Sequence, residues 1–322
     1  AAVLICFQQE IKSNYKYLIN KHINFNTLYD YNKNKINGEY YSSNGNSNIP
    51  FNFYVATNYS KQTLTIEFSS KILFDDYPKL ITAETLPQCL YNLNDMGICT
   101  IDIDGVLKTG CITQADITKD VSLELTDDIL TALNNNVGNY RRFRWQHYDN
   151  KGITFTKDII GRGKEEIKFY NKRKELSATA QNRRFLDSLA NRKQVEDYFS
   201  DKTRIEISLS TQPQIRNSLL INDTYIPMFF ASDANPILAQ FDRIFNSSTI
   251  DSSIDMDNYD TWAMSKILEM YNGNLQLIEQ GVRKLYKFRS GVNSRMAKFE
   301  QLKQIQQTPH RNIIQEVRNL LC

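Results

Sequence analysis

The chain mixes short apolar segments at strand spacing with segments at helix spacing. Alternating or β-branched patterns typical of strands occur at 3–7, 52–57, 64–68, 98–103, 111–121, 142–145, 152–156, 166–169 and 204–209. Helical periodicity occurs at 86–95, 127–133 and 173–199. Strands and helices interleaved in this order predict an α+β fold, with an antiparallel-rich central sheet and helices on one face.

Capping and turn residues set the expected boundaries. Gly97 follows the first helix pattern as a C-terminal cap, and Thr126 precedes the second as an N-terminal cap. Asp104-Gly105 predicts a turn between the strands 98–103 and 111–121. The polar segment 20–50, which is rich in Asn, Ser and Tyr, predicts a long surface loop.

Beyond about residue 230 the pattern becomes helical, at 259–271 and 274–307, with a break expected at Ser290-Gly291. We therefore predict one domain over 1–230 and a helical C-terminal region over 231–322. The second helix carries the basic residues Arg283, Lys284, Lys287, Arg289, Arg295, Lys298 and Lys303. Such a helix suits DNA binding, dimerisation or simple exposure to solvent, and the sequence leaves these alternatives open.

Composition narrows the class of protein. Of 322 residues, 41% are hydrophobic, which is typical of a globular chain. The five cysteines are scattered with no close pair, which argues against a zinc site or a disulfide framework and favours a reducing cytoplasm. No apolar run approaches the roughly 20 residues of a membrane helix, so we expect no membrane partner.

Positive charge is concentrated in one part of the chain. The net charge is only +3, but residues 140–217 contain 18 Lys and Arg against 10 Asp and Glu, a net charge of +8. The excess suits a surface for a phosphate backbone, and the alternative is a solvated basic face.

Carboxylates recur on the predicted strands. Asp116 and Asp120 are four residues apart on one strand and share a face, and Glu206 alternates with Ile205 and Ile207 on another. Three acids on a common sheet face would provide oxygen ligands for Mg²⁺ or Mn²⁺, with Glu67 as a second-line ligand. For each acid taken singly, a salt bridge or a solvated strand position is the alternative.

A tyrosine among basic residues is the candidate nucleophile. Tyr170 ends a strand between Lys168 and Lys172, which we expect to lower the pKa of its phenol. With Lys168, the nearby basic residues suited to binding DNA phosphates are Arg162, Lys164, Arg173, Lys174 and Arg204. The alternative for a tyrosine is packing, since the chain contains 18 of them.

These segments carry a family resemblance. Tyr170-Asn-Lys with Glu175, the strand Ile112-Thr-Gln-Ala-Asp116 and the later Arg204-Ile-Glu206 resemble, in order and spacing, the motifs of rolling-circle replication initiators. The similar proteins are plasmid initiators of the Rep_trans type and gene II replication proteins of filamentous phages. The resemblance covers roughly residues 50–230. Gln114 departs from it, because the family often has Arg at this position.

The resemblance implies a metal-dependent, site-specific DNA endonuclease and strand transferase. Tyr170, assisted by Lys172, would form a 5′-phosphotyrosyl intermediate at a replication origin and later allow religation. Implied partners are origin duplex and single-stranded DNA, a host helicase and polymerase, and a second copy of the chain, all in a bacterial cytoplasm. The paired histidines by which many such initiators hold their metal are absent, since His22, His147 and His310 are far apart in sequence.

Three other functions remain open at this point. A conjugative relaxase would use the same chemistry at a transfer origin. A non-catalytic DNA-binding protein would use only the lysines. A structural α+β domain with a basic patch would use neither.

Overall fold

The computed structural model describes residues 2–10, 23–43, 49–137, 144–148, 152–157, 165–245, 259–306 and 308–322. The chain forms two compact units. Unit 1 comprises Ala1–Glu124 and Ile159–Ile237, and unit 2 comprises Leu125–Asp158 and Leu238–Cys322. The predicted boundary near residue 230 lies close to the end of unit 1. However, the predicted continuous domain 1–230 includes Leu125–Asp158, which the structure groups with the C-terminal residues.

Unit 1 contains an antiparallel sheet. Its strands are β1 (Ala2–Glu10), β2 (Asn26–Asp30), β3 (Lys35–Ser42), β4 (Phe53–Asn58), β5 (Thr63–Ser69), β6 (Cys111–Ser122), β9 (Glu165–Asn171) and β10 (Lys202–Leu209). Their order within the sheet is β2-β3-β4-β5-β1-β6-β10-β9, and neighbouring strands in this order are antiparallel.

Short helices connect these strands. They are a 3₁₀ segment (Ser70–Lys79), α1 (Leu86–Asp95), α2 (Ile103–Thr109), α4 (Lys172–Ala178), α5 (Ala180–Asp187), α6 (Arg192–Tyr198), α7 (Gln212–Leu219) and α8 (Ile226–Phe230). Helix α1 is followed by Gly97, whose φ of 67° lies in the left-handed region that favours glycine, so its predicted cap is confirmed.

Unit 2 is mostly helical. It contains α3 (Asp127–Asn135), β7 (Arg144–Tyr148), β8 (Gly152–Lys157), α10 (Tyr259–Met270), α11 (Leu275–Leu285), α12 (Arg289–Gln306) and α13 (Thr308–Leu321), and α9 (Pro236–Ile244) begins at its boundary. Strands β7 and β8 form an antiparallel hairpin. The rings of Phe155 and Phe245 pack edge to face, 5.0 Å apart, which ties the hairpin to the C-terminal residues.

Alternation of side chains gives the sheet of unit 1 an apolar face and a polar face. One row of paired residues runs across β4, β5, β1, β6 and β10, and its members are Phe53, Phe68, Ile5, Ala115 and Leu209, all buried. The next row lies on the opposite face, because successive side chains of a strand point to opposite sides. Burial of the first row contributes to the core of unit 1, and the second face remains available for polar groups.

The predicted α+β class, with an antiparallel-rich sheet and a helical C-terminal region, is confirmed. Two details were predicted wrongly around residue 100. The segment 98–103 is not a strand, and Asp104-Gly105 lies inside α2 rather than in a turn. The reason is local, since the Asp102 carboxylate accepts a hydrogen bond from the Gly105 amide and begins a helix.

Other boundaries also differ from the prediction. The single helix expected over 173–199 is three helices, because Thr179 has an extended backbone and its hydroxyl caps α5. The polar segment 20–50 contains β2 and β3 rather than only a loop. The C-terminal break falls at 286–288, and Gly291 lies within α12. Among the described residues, no helix combines the length and apolar character needed to cross a bilayer.

Candidate active site

The polar face of β6, β10 and β9 brings the candidate residues together. Glu206 of β10 lies opposite Thr118 on one side and opposite Lys168 on the other. Two residues earlier along β10, Arg204 lies between Asp120 and Tyr170 in the same way. Directly opposed residues of antiparallel strands share a face, so the predicted common face of Asp116, Asp120 and Glu206 is present, and Tyr170 and Lys168 lie on it as well.

A buried carboxylate links the tyrosine to a lysine. The Tyr170 hydroxyl donates a hydrogen bond to Glu206 Oε2, with 2.9 Å between the oxygens. Lys168 Nζ donates to Glu206 Oε1 at 2.9 Å and lies 3.1 Å from Glu166 Oε1. Glu206 and Glu166 are buried, whereas Tyr170 and Lys168 are half-buried. The phenol thus has a proton acceptor within hydrogen-bond reach, which is the geometry expected of a nucleophile and its base.

The electrostatics of Tyr170 differ from the prediction. Burial, and then the negative charge of Glu206, raise the pKa of Tyr170 well above its usual value. The expectation that lysines lower this pKa is wrong, because the group hydrogen-bonded to the hydroxyl is a carboxylate. Burial alone lowers the pKa of Lys168, but Glu206, Glu166 and Asp116 outweigh it and raise the pKa. The stable state is therefore a neutral phenol beside an ion pair.

Asp116 lies beside this group. It is opposite Ser208 and diagonal to Glu206 on the same face, a relation that places Cα atoms roughly 7–8 Å apart. Burial, and then the charge of Glu206, raise the pKa of Asp116 to about 6. The two carboxylates predicted as ligands are thus close enough to repel each other.

Asp120 and Arg204 do not have their predicted roles. Arg204 Nε and Nη2 donate to the two Asp120 carboxylate oxygens at 2.6 and 2.7 Å, and Nη1 donates to the Tyr77 hydroxyl at 3.1 Å. Arg204 is completely buried and the Asp120 side chain is only 3% exposed. This bidentate pair therefore holds β6 to β10, and neither Asp120 as a metal ligand nor Arg204 as a DNA contact agrees with the structure.

Lys172 is also a buried structural residue. Its ammonium donates to Glu175 Oε2 at 2.6 Å and lies 5.4 Å from the centre of the Tyr170 ring. Glu175 accepts a further bond from the Asn182 amide, which in turn accepts one from Lys71. Lys172 therefore contacts the face of the tyrosine ring and is paired with Glu175, so the predicted catalytic role, in lowering the pKa of the Tyr170 phenol, is wrong.

The remaining predicted DNA contacts divide into two groups. Arg173 and Lys174 are exposed in the first turn of α4, where they are accessible to a phosphate backbone. Helix α4 begins directly after the tyrosine because the Asn171 side chain accepts a hydrogen bond from the Lys174 amide. Arg162 and Lys164 lie outside the described residues.

The donor set for a divalent cation is smaller than predicted. Asp116 and Glu206 remain as adjacent carboxylates, and Mg²⁺ is commonly held by one or two carboxylates together with waters and substrate phosphates. Glu67 is not part of this group, since it lies opposite Cys6 and the whole of β1 separates it from β6. No group of three or more His, Cys, Asp or Glu side chains is arranged to hold a metal in the part of the chain that the structure describes.

Several members of the site were not predicted from the sequence. Glu166 could have been found, because it shares the alternation of Lys168 and Tyr170 along β9. Tyr77, Lys71 and Asn182 come from segments outside β6, β9 and β10, and no sequence pattern around them indicates that they belong to the site. They became recognisable only through tertiary contacts with Arg204 and Glu175.

The site therefore consists of a phenol, its carboxylate acceptor, a lysine that fixes that carboxylate, and a second carboxylate with a raised pKa. Comparison with protein-family models, with curated proteins and with solved structures finds no match to this chain.

Proposed function

We propose that the chain is a DNA-nicking and strand-transfer enzyme with Tyr170 as nucleophile, acting as an initiator of rolling-circle replication of a phage or plasmid. The observation that carries this proposal is the 2.9 Å hydrogen bond from the Tyr170 hydroxyl to Glu206. The order of motifs resembling those of replication initiators supports the choice of DNA as substrate.

The geometry suggests a role for each group of the site. Glu206 accepts the phenolic proton as the Tyr170 oxygen attacks a backbone phosphorus. The bond from phosphorus to the 3′-oxygen breaks, and the upstream segment leaves with a 3′-hydroxyl after its 3′-oxygen takes a proton from solvent. The downstream segment stays on the tyrosine through its 5′-phosphate. Because an ester bond is exchanged for another ester bond, the 3′-hydroxyl can later attack the phosphotyrosine and reseal the strand without ATP.

Lys168 and Asp116 support this reaction. Lys168 donates a hydrogen bond to Glu206 and orients that carboxylate toward the phenol. Asp116 and Glu206 are the residues that would hold Mg²⁺ or Mn²⁺, which would neutralise charge on the scissile phosphate. Exposed Arg173 and Lys174 would bind phosphates next to the scissile one.

The test is covalent capture of DNA. The protein is incubated with Mn²⁺ and supercoiled DNA that carries the genomic region around its own gene, and a 5′-linked adduct is sought after denaturation and protease treatment. We expect an adduct with the wild type and with Tyr198→Phe, an exposed tyrosine on α6, and none with Tyr170→Phe.

Two outcomes would contradict the proposal. An adduct formed by Tyr170→Phe would place the nucleophile elsewhere. Binding of DNA without any adduct or nick from the wild type would favour a non-catalytic DNA-binding protein.

A further inference from the structure

A second surface of interest lies in unit 2, at the corner between α11 and α12. The two helices are joined by the residues 286–288, and the corner encloses an open pocket of about 410 Å³. It is lined by Glu279, Arg283, Tyr286, Lys287, Phe288, Arg289, Val292 and Asn293. The pocket volume falls in the range of roughly 300–1,000 Å³ that is typical of small-molecule sites.

Large apolar side chains are exposed at this corner. Leu285 is 80% exposed and Phe288 is 69% exposed. Two large apolar side chains exposed so close together form a small apolar surface. The seven residues 283–289 contain four cationic side chains and no acidic one. Exposed aromatic groups among cations are the combination that binds stacked bases and phosphates.

The pocket has a fixed wall. A Cβ atom added at Gly291 would lie 2.7 Å from Cδ1 of Tyr286, so the tyrosine ring packs directly on the glycine backbone. The Tyr286 side chain also interacts with Arg295, whose guanidinium is held by Asp260. Contacts with Gly291 and Arg295 therefore restrict the ring, and 37% of the residue is exposed.

The cations differ in how they are paired. Arg283 is bonded to Glu279 at 3.0 Å. Lys287 lies 5.9 Å from the centre of the Phe288 ring, and among the described residues no ion pair to Lys287 or Arg289 occurs. The two cations beside the exposed ring are thus available to an anionic ligand.

We propose that the α11–α12 corner binds single-stranded nucleic acid, with a base stacked on Phe288 and phosphates bound by Lys287 and Arg289. The chemistry favours nucleic acid over an anionic bilayer, because the surface is a concave pocket with an oriented aromatic wall. This proposal does not depend on Tyr170 or on nicking, and a binding measurement tests it directly.

The test measures binding of fluorescein-labelled oligo(dT) of 20 nucleotides to the full chain by fluorescence anisotropy at several salt concentrations. Phe288→Ala should weaken binding about tenfold and leave the salt dependence unchanged, because stacking involves no counterion release. Lys287→Ala should weaken binding and reduce the log–log salt slope by about 0.7. Lys266→Ala is the matched control, since it removes an exposed cation of unit 2 that does not line the pocket.

An abasic oligomer of equal length separates stacking from charge. The wild type should bind it about tenfold more weakly than oligo(dT), whereas Phe288→Ala should bind both equally. Thermal unfolding of each variant checks that the fold is retained.

The inference is overturned if Phe288→Ala and Lys287→Ala both bind oligo(dT) like the wild type. It is also overturned if Phe288→Ala loses binding only to phosphatidylserine vesicles and keeps its affinity for oligo(dT). That second result would identify the corner as a membrane contact.

Discussion

The Glu206 carboxylate accepts hydrogen bonds from two side chains. It accepts from Tyr170 with one oxygen and from Lys168 with the other. Glu206→Gln keeps the size and one acceptor oxygen but cannot take up the phenolic proton. We expect nicking to fall by about 10²–10⁴-fold, the usual contribution of a general base, in single-turnover assays.

The matched control for that change is Glu84→Gln, an exposed carboxylate of unit 1. It should nick at the wild-type rate. If Glu206→Gln also nicked at that rate, proton transfer to Glu206 would not be part of the reaction.

The pKa of Asp116 should depend on the negative charge of Glu206. Its folded pKa of about 6 exceeds the ordinary value of 3.8, so between these values the folded chain holds a proton that the unfolded chain has lost. The stabilisation from this group is complete below pH 3.8 and is lost as pH rises through about 6.

We expect Glu206→Gln to lower the Asp116 pKa, because a neighbouring negative charge disappears. Carboxyl ¹³C NMR titration would show the midpoint near 6 in the wild type and at a lower pH in the variant. An unchanged midpoint would mean that burial alone causes the shift.

Lys303 of α12 is a buried lysine whose pKa burial lowers to about 7. Between about pH 7 and 10.5 the unfolded chain binds a proton that the folded chain lacks, so stability rises with pH in this window. We expect Lys303→Met to raise the free energy of unfolding by about 2 kcal/mol at pH 6, and by less at pH 9.

Urea unfolding at both pH values measures this difference, and exposed Lys298→Met on the same helix is the control. A pH-independent gain would show that Lys303→Met acts through packing rather than through the removal of a buried charge.

At the scale of single residues, the sequence was sufficient to place Asp116 and Asp120 on one face, because alternation along a strand is local. That Tyr170 and Lys168 share a face with Glu206 depends on the pairing of β9 with β10 and was not predicted.

The sequence was also insufficient for the pairing of charges. The partners of Lys172 and Arg204 depend on which strands and helices lie beside them. Lys172 is bonded to Glu175, and Arg204 is bonded to Asp120.

At the scale of elements, the Arg204–Asp120 pair connects β6 to β10 and, through Tyr77, to the 3₁₀ segment. Arg204→Met leaves the Asp120 carboxylate buried without its counter-charge. We expect a loss of about 3–5 kcal/mol in the free energy of unfolding, measured with denaturant.

The double variant Arg204→Met with Asp120→Leu should recover most of this loss, since no buried charge then remains. Arg192→Ala, which breaks exposed ion pairs of α6, should change the free energy of unfolding much less than Arg204→Met does. A double variant as unstable as the single one would mean that geometry, rather than charge, makes the pair important.

Six of the eight strands of unit 1 were predicted, because strand alternation acts over a few residues, whereas β2, β3, α7 and α8 were not. Two of the errors occur where local signals compete. Asp102 caps a helix at a place where Asp104-Gly105 also suits a turn, and Thr179 caps a new helix inside a continuous helical pattern. Strand order could not be predicted, since β1 pairs with strands from much later in the chain.

At the scale of the whole molecule, the insertion Leu125–Asp158 belongs to the core of unit 2. Removal of 238–322 would expose the apolar residues of this insertion, including Phe155, which packs on Phe245. We expect that truncated chain to aggregate and to lack cooperative thermal unfolding.

A chain that lacks 238–322 and has 125–158 replaced by a short Gly/Ser linker should be monomeric by size-exclusion chromatography and should unfold cooperatively. Equal behaviour of the two truncated chains would contradict the assignment of the insertion to unit 2.

The interleaved order of the two units also has a consequence for biosynthesis. The last residues of unit 1, up to Ile237, are synthesised before the helices α10–α13. The candidate nicking unit can therefore begin to fold while the segment 125–158 still lacks the rest of unit 2. At about 5–20 residues per second, translation of residues 238–322 takes roughly 4–17 s. During this interval Phe155 lacks its packing partner Phe245, and the nascent chain exposes side chains that the folded unit buries.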